Sequence, residues 1–310
     1  MKSMLFVLML LWLSFANAQY NQTNLKLEPA SKDKYHYQNL QLYPIRANDV
    51  FVRHHQNRGQ YETLKAALDK KKVMISESNG GQVNSLFVEN VSRDTVMILS
   101  GEIVQGGKQD RMVAQDVILY PKSGKKDLAV FCVEHGRWQS RESGMDFKKY
   151  YSISSNEVRK AATVKKSQQE VWNKVAETTA KNKATTSTGA LTALKESDEF
   201  AKELKKYTDH FNALMSNEGD VIGVVAVSGD SVLGCDMFVS HQLFEKHYQN
   251  LVNSYATEAI TTGKTVQVPY EKVQQYLLNI IGDENKQESA VKKKGTLLKE
   301  GGKTVHISTF

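Results

Sequence analysis

A series of short apolar segments separated by turn sequences constrains the fold of this chain more than any other feature. The segments are rich in β-branched and aromatic residues, which favour strands. They are residues 73–76, 83–91, 95–99, 102–105, 112–120 and 128–134. The breaks between them carry turn-forming residues, as in Asn79-Gly80-Gly81, Ser92-Arg93-Asp94, Gly106-Gly107 and Ser123-Gly124. Strands this close together in sequence predict a β-sandwich or an open barrel.

The apolar spacing becomes helical after residue 154. Two amphipathic stripes follow, and such stripes usually pack against a sheet. Their residues are Ala161, Val164, Val171 and Val175, and then Phe200, Leu204, Tyr207, Phe211 and Leu214. Residues 221–227 and 232–239 predict a hairpin around Gly229-Asp230, followed by helices over 240–260 and 269–281. The fold class is therefore α+β: a β-rich sandwich or open-barrel core, a helical section packed against it and a late β-hairpin.

The chain divides into four parts on composition. Residues 1–18 predict a signal peptide, and 19–37 form a polar lead-in. Residues 38–282 predict a single α+β domain. The tail, 283–310, is rich in Lys and Gly, and we expect residues 283–303 to be mobile and residues 304–308 to form a final edge strand.

The N-terminus has the three parts of a cleavable signal. Lys2 supplies the positive charge, residues 4–15 form an apolar core, and Ala16-Asn17-Ala18 provides small residues at the cleavage site. The alternative, a membrane anchor, would need about 20 apolar residues. We therefore expect Gln19 to be the mature N-terminus, a periplasmic or extracellular location, and no stable membrane insertion after cleavage.

The formal net charge of +7 does not by itself indicate a nucleic-acid partner. Nucleic-acid binders usually concentrate Lys and Arg on one face. Here lysines alternate with glutamates on the predicted helices, as in Lys202-Glu203-Leu204-Lys205. A solvated helix face explains this pattern better, and no nucleic-acid partner is predicted.

The two cysteines, Cys132 and Cys235, both follow apolar residues of predicted strands. In an oxidising compartment they could pair. The alternative is two buried thiols on separate strands. We expect the second arrangement.

Charged residues are densest in two motifs at strand ends. The first runs from Gly101-Glu102 to Gly106-Gly107-Lys108-Gln109-Asp110-Arg111, and the second is Cys132-Val133-Glu134-His135-Gly136-Arg137-Trp138. Three cationic side chains could bind an anionic ligand: Lys108 as a point charge, and Arg111 and Arg137 through their planar guanidinium groups. Two carboxylates suit general acid or base catalysis: Glu102 and Glu134. Gln109 would position the ligand and Trp138 would stack on it. Alternatively, the same residues form a structural network in which Trp138 covers the core.

Neither motif matches a catalytic template. Cys132 as a nucleophile would need a base, and His135, three residues further along the chain, points to the other side of an extended strand. Gly106-Gly107-Lys108 lacks the spacing of a phosphate-binding P-loop. His241 and His247 are six residues apart and off a shared helix face. The sequence predicts no metal site and identifies no cofactor.

The order of several motifs resembles a known bacterial family of unknown function. They are Thr63-Leu64-x-x-Ala67-Leu68, Gly101-Glu102, Gly107-Lys108-Gln109-x-Arg111, Cys132-Val133-Glu134-x-Gly136-Arg137-Trp138, Val171-Trp172, Ser187-Thr188-Gly189-Ala190, Asp236-x-Phe238 and Ser254-Tyr255-Ala256. Over residues 38–262 the chain is similar to the ADP-ribosylglycohydrolase- and rhodanese-phosphatase-associated protein family. The resemblance implies a link to enzymes of ADP-ribose and NAD metabolism, but no catalytic residues. Asp110 and Thr188 stand where the family often has Asn and Pro.

Two functional hypotheses follow. The first is a secreted or periplasmic domain that handles an anionic small ligand, ADP-ribose-like or nucleotide-derived, with catalysis left open. The alternative is a non-catalytic envelope module that binds a glycan or protein partner. Both expect Glu102, Arg111, Glu134 and Arg137 to lie close together at one end of the β-rich block, because charges near a core must be paired.

Overall fold

The computed structural model describes residues 19–29, 34–78, 81–140, 144–212, 214–215 and 218–310. The predicted signal peptide, 1–18, lies outside the described residues. In the part of the chain that the structure describes, none of the helices combines the length and apolar character that crossing a membrane requires. The fold is α+β, as the sequence predicts.

Elements are numbered in chain order. The strands are β1 (Leu25–Leu27), β2 (His36–Tyr37), β3 (Leu40–Ala47), β4 (Glu62–Thr63), β5 (Val73–Glu77), β6 (Ser85–Asn90), β7 (Val96–Ile98), β8 (Glu102–Gly106), β9 (Arg111–Val113), β10 (Val117–Leu119), β11 (Gly124–Cys132), β12 (Phe147–Ile153), β13 (Val221–Ser228), β14 (Ser231–Phe238), β15 (Gly295–Glu300) and β16 (Lys303–Thr309). The helices are α1 (Asp49–His55), α2 (Leu64–Asp69), α3 (Asn156–Thr163), α4 (Gln168–Lys181), α5 (Asp198–Asn212), α6 (His241–Thr262), α7 (Tyr270–Leu278) and α8 (Glu284–Lys294). A 3-10 helix, Leu191–Glu196, precedes α5.

The large sheet is antiparallel, in the order β1-β3-β13-β14-β16-β15, with β2 paired to β3. Both faces are covered. On one face Val224 packs with Tyr255 of α6, and on the other Val225 packs with Val273 of α7. Successive side chains of a strand point to opposite faces, so β13 is buried along its whole length. The predicted hairpin is β13 and β14.

A second sheet curls into a half-barrel in the order β12-β8-β9-β11-β6-β5. Together with α2 and the small sheet β10-β7-β4, it encloses an apolar core that includes Leu64, Val104 and Phe147. The predicted segment 112–120 is not one strand: β9 belongs to the half-barrel and β10 to the small sheet.

The helical section packs on the other side of β8 and β9. Ile103 and Met112 contact a cluster that includes Val158, Val171 and Phe200 of α3, α4 and α5. Because Ile103 and Val104 are neighbours on β8, one strand contributes to both cores. The predicted packing of helices against the sheet is confirmed.

The two ends of the described chain belong to the large sheet. Residues 304–308 form a strand, as predicted, but β16 lies between β14 and β15 and is not an edge strand. The physical reason is that Val305 and Ile307 extend into cores on both sides of the segment. In the polar lead-in, Tyr20 and Leu25 are buried against the same sheet.

Candidate functional site

The antiparallel register brings the two charged motifs together. Val104 on β8 lies opposite Arg111 on β9, and Arg111 lies opposite Cys132 on β11. The β8–β9 turn and the chain after β11 therefore meet at one end of the half-barrel. We call the group formed there the motif cluster; its members are Glu77, Lys108, Gln109, Asp110, Arg111, Glu134, Arg137 and Trp138.

The β8–β9 turn requires its two glycines. Both have positive φ, 150° at Gly106 and 45° at Gly107. A Cβ on Gly106 would lie 2.2 Å from the carbonyl oxygen of Asp146, and one on Gly107 would lie 2.5 Å from Glu77 Oε1. The close approach lets the backbone N–H of Lys108 donate to Glu77 Oε1 at 2.7 Å. Only glycine fits this geometry without strain.

Glu134 and Arg137 fasten the turn to the chain after β11. Glu134 Oε2 accepts from the Asp110 N–H at 3.0 Å and from Arg137 Nε at 2.9 Å. Arg137 also donates to the carbonyl oxygens of Gly107 and Gly106, at 2.7 and 3.2 Å. Its Nη2 lies 3.4 Å from Asp110 Oδ1. We call Glu134, Arg137 and Asp110 the brace, because their charged groups are paired and hydrogen-bonded inside the protein.

Asp110 connects the brace to the helical section. Its Oδ2 accepts from Thr192 Oγ1 at 2.9 Å and from Gln105 Nε2 at 3.2 Å. Thr192 belongs to the 3-10 helix, so this carboxylate is bonded to two layers of the fold. These contacts are those of a structural network, the alternative that the sequence left open for these motifs.

Arg111, Lys108 and Trp138 have a different environment, and we call them the Trp138 platform. Arg111 is fully buried, yet its Nε and Nη2 have no hydrogen-bond partner among the described residues. Its Nη1 donates to Gln109 Oε1 at 3.2 Å, and its Nη2 lies 3.8 Å from Glu77 Oε2. The Trp138 ring centre is 5.8 Å from the Arg111 guanidinium carbon and 5.2 Å from Lys108 Nζ. Trp138 is 45 % exposed, so solvent reaches an aromatic surface that adjoins two cations.

Glu77 is a member of the cluster that the sequence did not predict. It is buried at the end of β5 and holds both the Lys108 backbone and the Arg111 side chain. No local motif marks it, because β5 is paired to β6 and lies far from both motifs in the chain.

Glu102 does not join the motif cluster. The prediction that it lies close to Arg111, Glu134 and Arg137 is therefore wrong. Glu102 lies at the other end of β8 from the glycine pair, and four residues of strand span about 13 Å. Its carboxylate accepts from the Leu99 N–H at 2.8 Å and from Tyr150 OH at 3.1 Å. Burial raises the pKa of Glu102 to about 8, against the lowering effect of these two hydrogen bonds.

A second polar cluster, which the sequence did not predict, lies inside the protein. We call Arg159, Asp236, His306 and Asp116 the buried ion network. Arg159 Nη2 is 3.0 Å from Asp236 Oδ1, His306 Nε2 is 3.2 Å from the same oxygen, and His306 Nδ1 is 2.6 Å from Asp116 Oδ2. All four side chains are at most 3 % exposed. The network joins α3, β14 and β16 to the chain before β10.

The charges of the network shift the pKa values of its members. Burial alone would lower the pKa of His306, but the Asp116 and Asp236 carboxylates raise it to about 9. Burial would raise the pKa of Asp236, but Arg159 and His306 hold it well below its usual range. A sequence signal for this network does exist, because Asp236 and Tyr255 both occur in the motifs quoted above, and Tyr255 OH donates to Asp236 Oδ2.

The two cysteines are unpaired and buried, as expected. Cys132 is on β11 of the half-barrel and Cys235 on β14 of the large sheet. Burial raises the pKa of the Cys132 thiol to about 11 and that of Cys235 well above its usual value. Among the described residues, no group of three or more His, Cys, Asp or Glu side chains is arranged to hold a metal ion.

The fold and the cluster define an α+β domain in which a half-barrel packs with a large antiparallel sheet and a charged turn lies at one end of the half-barrel. A comparison with family models matches residues 29–310 to the ARG and Rhodanese-Phosphatase-superfamily-associated Protein domain. The chain belongs to this family, as the motifs indicate. No curated protein and no solved structure gives a significant match.

Proposed function

We propose that the protein is a secreted or periplasmic domain that binds an anionic small molecule carrying an aromatic ring, ADP-ribose-like or nucleotide-derived, at the Trp138 platform. One observation carries the proposal: Arg111 is buried beside an exposed tryptophan while two of its nitrogens, Nε and Nη2, have no hydrogen-bond partner among the described residues.

Buried donors are nearly always satisfied in folded proteins. A guanidinium with two nitrogens that make no hydrogen bond to described residues matches the two oxygens of a phosphate or carboxylate. The Lys108 ammonium at the same ring adds a second positive charge. A base or another aromatic ring on the exposed surface of Trp138 would contribute about 1–3 kcal/mol through stacking.

The geometry favours binding over catalysis by the two carboxylates that the sequence suggested. The Glu134 carboxylate is bonded to Arg137 and to the Asp110 backbone within the brace. Glu102 is fully buried at the far end of β8. General acid or base catalysis requires a group within hydrogen-bond reach of the ligand, so neither residue is assigned a catalytic role at the platform.

A thermal-shift titration tests the proposal. A ligand at 100 times its Kd stabilises a protein by about 2.7 kcal/mol, which corresponds to roughly 5–10 °C in Tm for a chain of this size. We expect ADP-ribose and ADP to raise the Tm, and adenosine and ribose 5-phosphate to raise it less, because each lacks one half of the recognised chemistry.

Two variants connect the response to the platform. Trp138→Ala should lose most of the ligand-induced shift, whereas Tyr120→Ala, which removes a 50 % exposed aromatic residue elsewhere, should keep it. The double variant Glu77→Gln with Arg111→Gln removes both buried charges together, so no single charge is left unpaired. A wild-type protein that responds only to neutral sugars, or to none of these compounds, would contradict the proposal and favour a glycan or protein partner.

Secretion has its own test. Protein isolated from the native host should begin at Gln19, intact or cyclised, by mass spectrometry. An intact Met1 in a membrane fraction would contradict the proposed location.

A further inference from the structure

A cavity of about 300 Å³ lies between the end of β12, the 3-10 helix, α5 and α6. It shares no lining residue with the Trp138 platform. A larger groove, of about 790 Å³, lies beside β5, β6 and β12. Among the described residues, the groove is lined by no buried polar atom without a partner, whereas the smaller cavity is.

One wall of the cavity is apolar. Leu191 and Leu194 of the 3-10 helix and Phe200 and Leu204 of α5 line it. Leu191, Leu194 and Phe200 are buried, whereas Ala201 of the same lining is exposed, so the apolar surface lies at the inner end of a cavity that opens to solvent. Such a surface suits an apolar body, since apolar surface is stabilised when it is removed from water.

A buried serine supplies a polar group in the same cavity. Ser154, at the end of β12, is 2 % exposed and lines the cavity. Its Oγ makes no hydrogen bond with any described residue. A buried hydroxyl without a partner is costly, so a polar atom of a molecule in the cavity would satisfy it.

A cation lies among the lining residues as well. Lys195, the exposed lysine of the 3-10 helix, forms no ion pair with a described residue, and its Nζ is 3.5 Å from the neutral Gln105 Oε1. Lys205, the other lysine of the lining, is already paired with Asp209. Lys195 is therefore the cation that an incoming anion would meet.

We propose that this cavity binds a small monocarboxylate with an apolar body, of the size of benzoate or hexanoate. The carboxylate pairs with Lys195, the apolar body lies against Leu191, Leu194 and Phe200, and Ser154 Oγ hydrogen-bonds a polar atom of the ligand. The volume fits such acids: a water molecule takes about 30 Å³ of liquid, so the cavity holds roughly ten.

Isothermal titration of the purified protein with benzoate, hexanoate and the neutral isostere benzamide tests the inference. We expect saturable binding of both acids and binding of benzamide weaker by about tenfold or more, because a hydrogen bond to a charged group is lost. Lys195→Met should lower the affinity for both acids to that for benzamide. The matched control, Lys202→Met, removes an exposed lysine of α5 that does not line the cavity, and should change nothing.

Two further variants keep the inference testable. Ala201→Trp, at an exposed position of the lining, should block the cavity and abolish acid binding. Ser154→Ala should weaken acid binding while leaving the ligand-free Tm unchanged or higher, since it removes an unsatisfied hydroxyl. A lower Tm with acid binding retained would show that water satisfies Ser154, and would overturn its assigned role.

Absence of saturable binding of either acid at millimolar concentration, or equal binding by wild type and Lys195→Met, would overturn the site itself. Because Lys195 is outside the Trp138 platform, Lys195→Met should keep the response to ADP-ribose. The two sites can therefore fail independently.

Discussion

The brace predicts that Glu134→Gln lowers stability and spares ligand binding. The amide oxygen of glutamine can still accept from the Asp110 N–H, so the substitution removes mainly the charge that faces Arg137. Arg137 is 13 % exposed and keeps its three carbonyl partners and its contact with Asp110. The loss should therefore match one hydrogen bond between charged groups, about 1.5–3 kcal/mol, and not the 3–5 kcal/mol of a buried charge left without any partner.

A loss of this size corresponds to a fall in Tm of roughly 3–12 °C for a chain of this length. Differential scanning calorimetry measures the fall, and ADP-ribose titration of the same sample measures binding. Glu199→Gln is the matched control, because its ion pair with Lys183 is more than three-quarters exposed and should contribute little. If Glu134→Gln melts like Glu199→Gln and no longer binds, Glu134 contacts the ligand and the brace is misassigned.

Three further predictions concern buried groups. Glu102 has a folded pKa of about 8, above its unfolded value, so the folded state holds an extra proton and stability falls as pH rises from about 4.5 to 8. Glu102→Gln should make the fall of Tm between pH 5 and 8.5 less steep. An unchanged dependence of Tm on pH would contradict the assignment. Gly106→Ala would place a Cβ 2.2 Å from a carbonyl oxygen and should greatly lower the urea midpoint, whereas Gly219→Ala, with open space around its Cβ, should not; equal midpoints would refute the turn geometry. A thiol reagent should modify neither Cys132 nor Cys235 in native protein and both after unfolding, and a disulfide-linked peptide would contradict this.

The sequence predicts those parts of the fold whose pattern is local. The hairpin β13–β14 is an apolar run on either side of a short polar turn, and α6 has a clear N-cap at Ser240. The sequence does not predict β12, the segment FKKYYSI, where two lysines follow the buried Phe147. Only the two end residues of the strand, Phe147 and Ile153, are buried, so its composition resembles a loop. The composition of the lysine-rich tail predicts mobility for a similar reason. The tail is ordered because its strand β16 pairs with β14.

For the site, sequence proximity predicts the brace and misplaces Glu102. Residues three apart, such as Glu134 and Arg137, can meet after a strand ends. Glu102 and Lys108 are six residues apart, and strand β8 separates them. The buried ion network is beyond local reasoning, since Asp116 and His306 are joined only when α3 and the two sheets pack together. Glu77 is missed for the same reason.

The fluorescence of Trp138 tests most directly whether this residue contacts the ligand. The chain has three tryptophans: Trp12, which the predicted signal cleavage removes, Trp138 and Trp172. In the variant Trp172→Phe, processed to begin at Gln19, Trp138 is the only tryptophan left. We predict a saturable change in Trp138 emission on titration with ADP-ribose, after correction for ligand absorbance. The same variant with Glu77→Gln and Arg111→Gln added should show no change in emission. Unchanged Trp138 emission under conditions where calorimetry detects bound ADP-ribose would place the ligand elsewhere and contradict the claim.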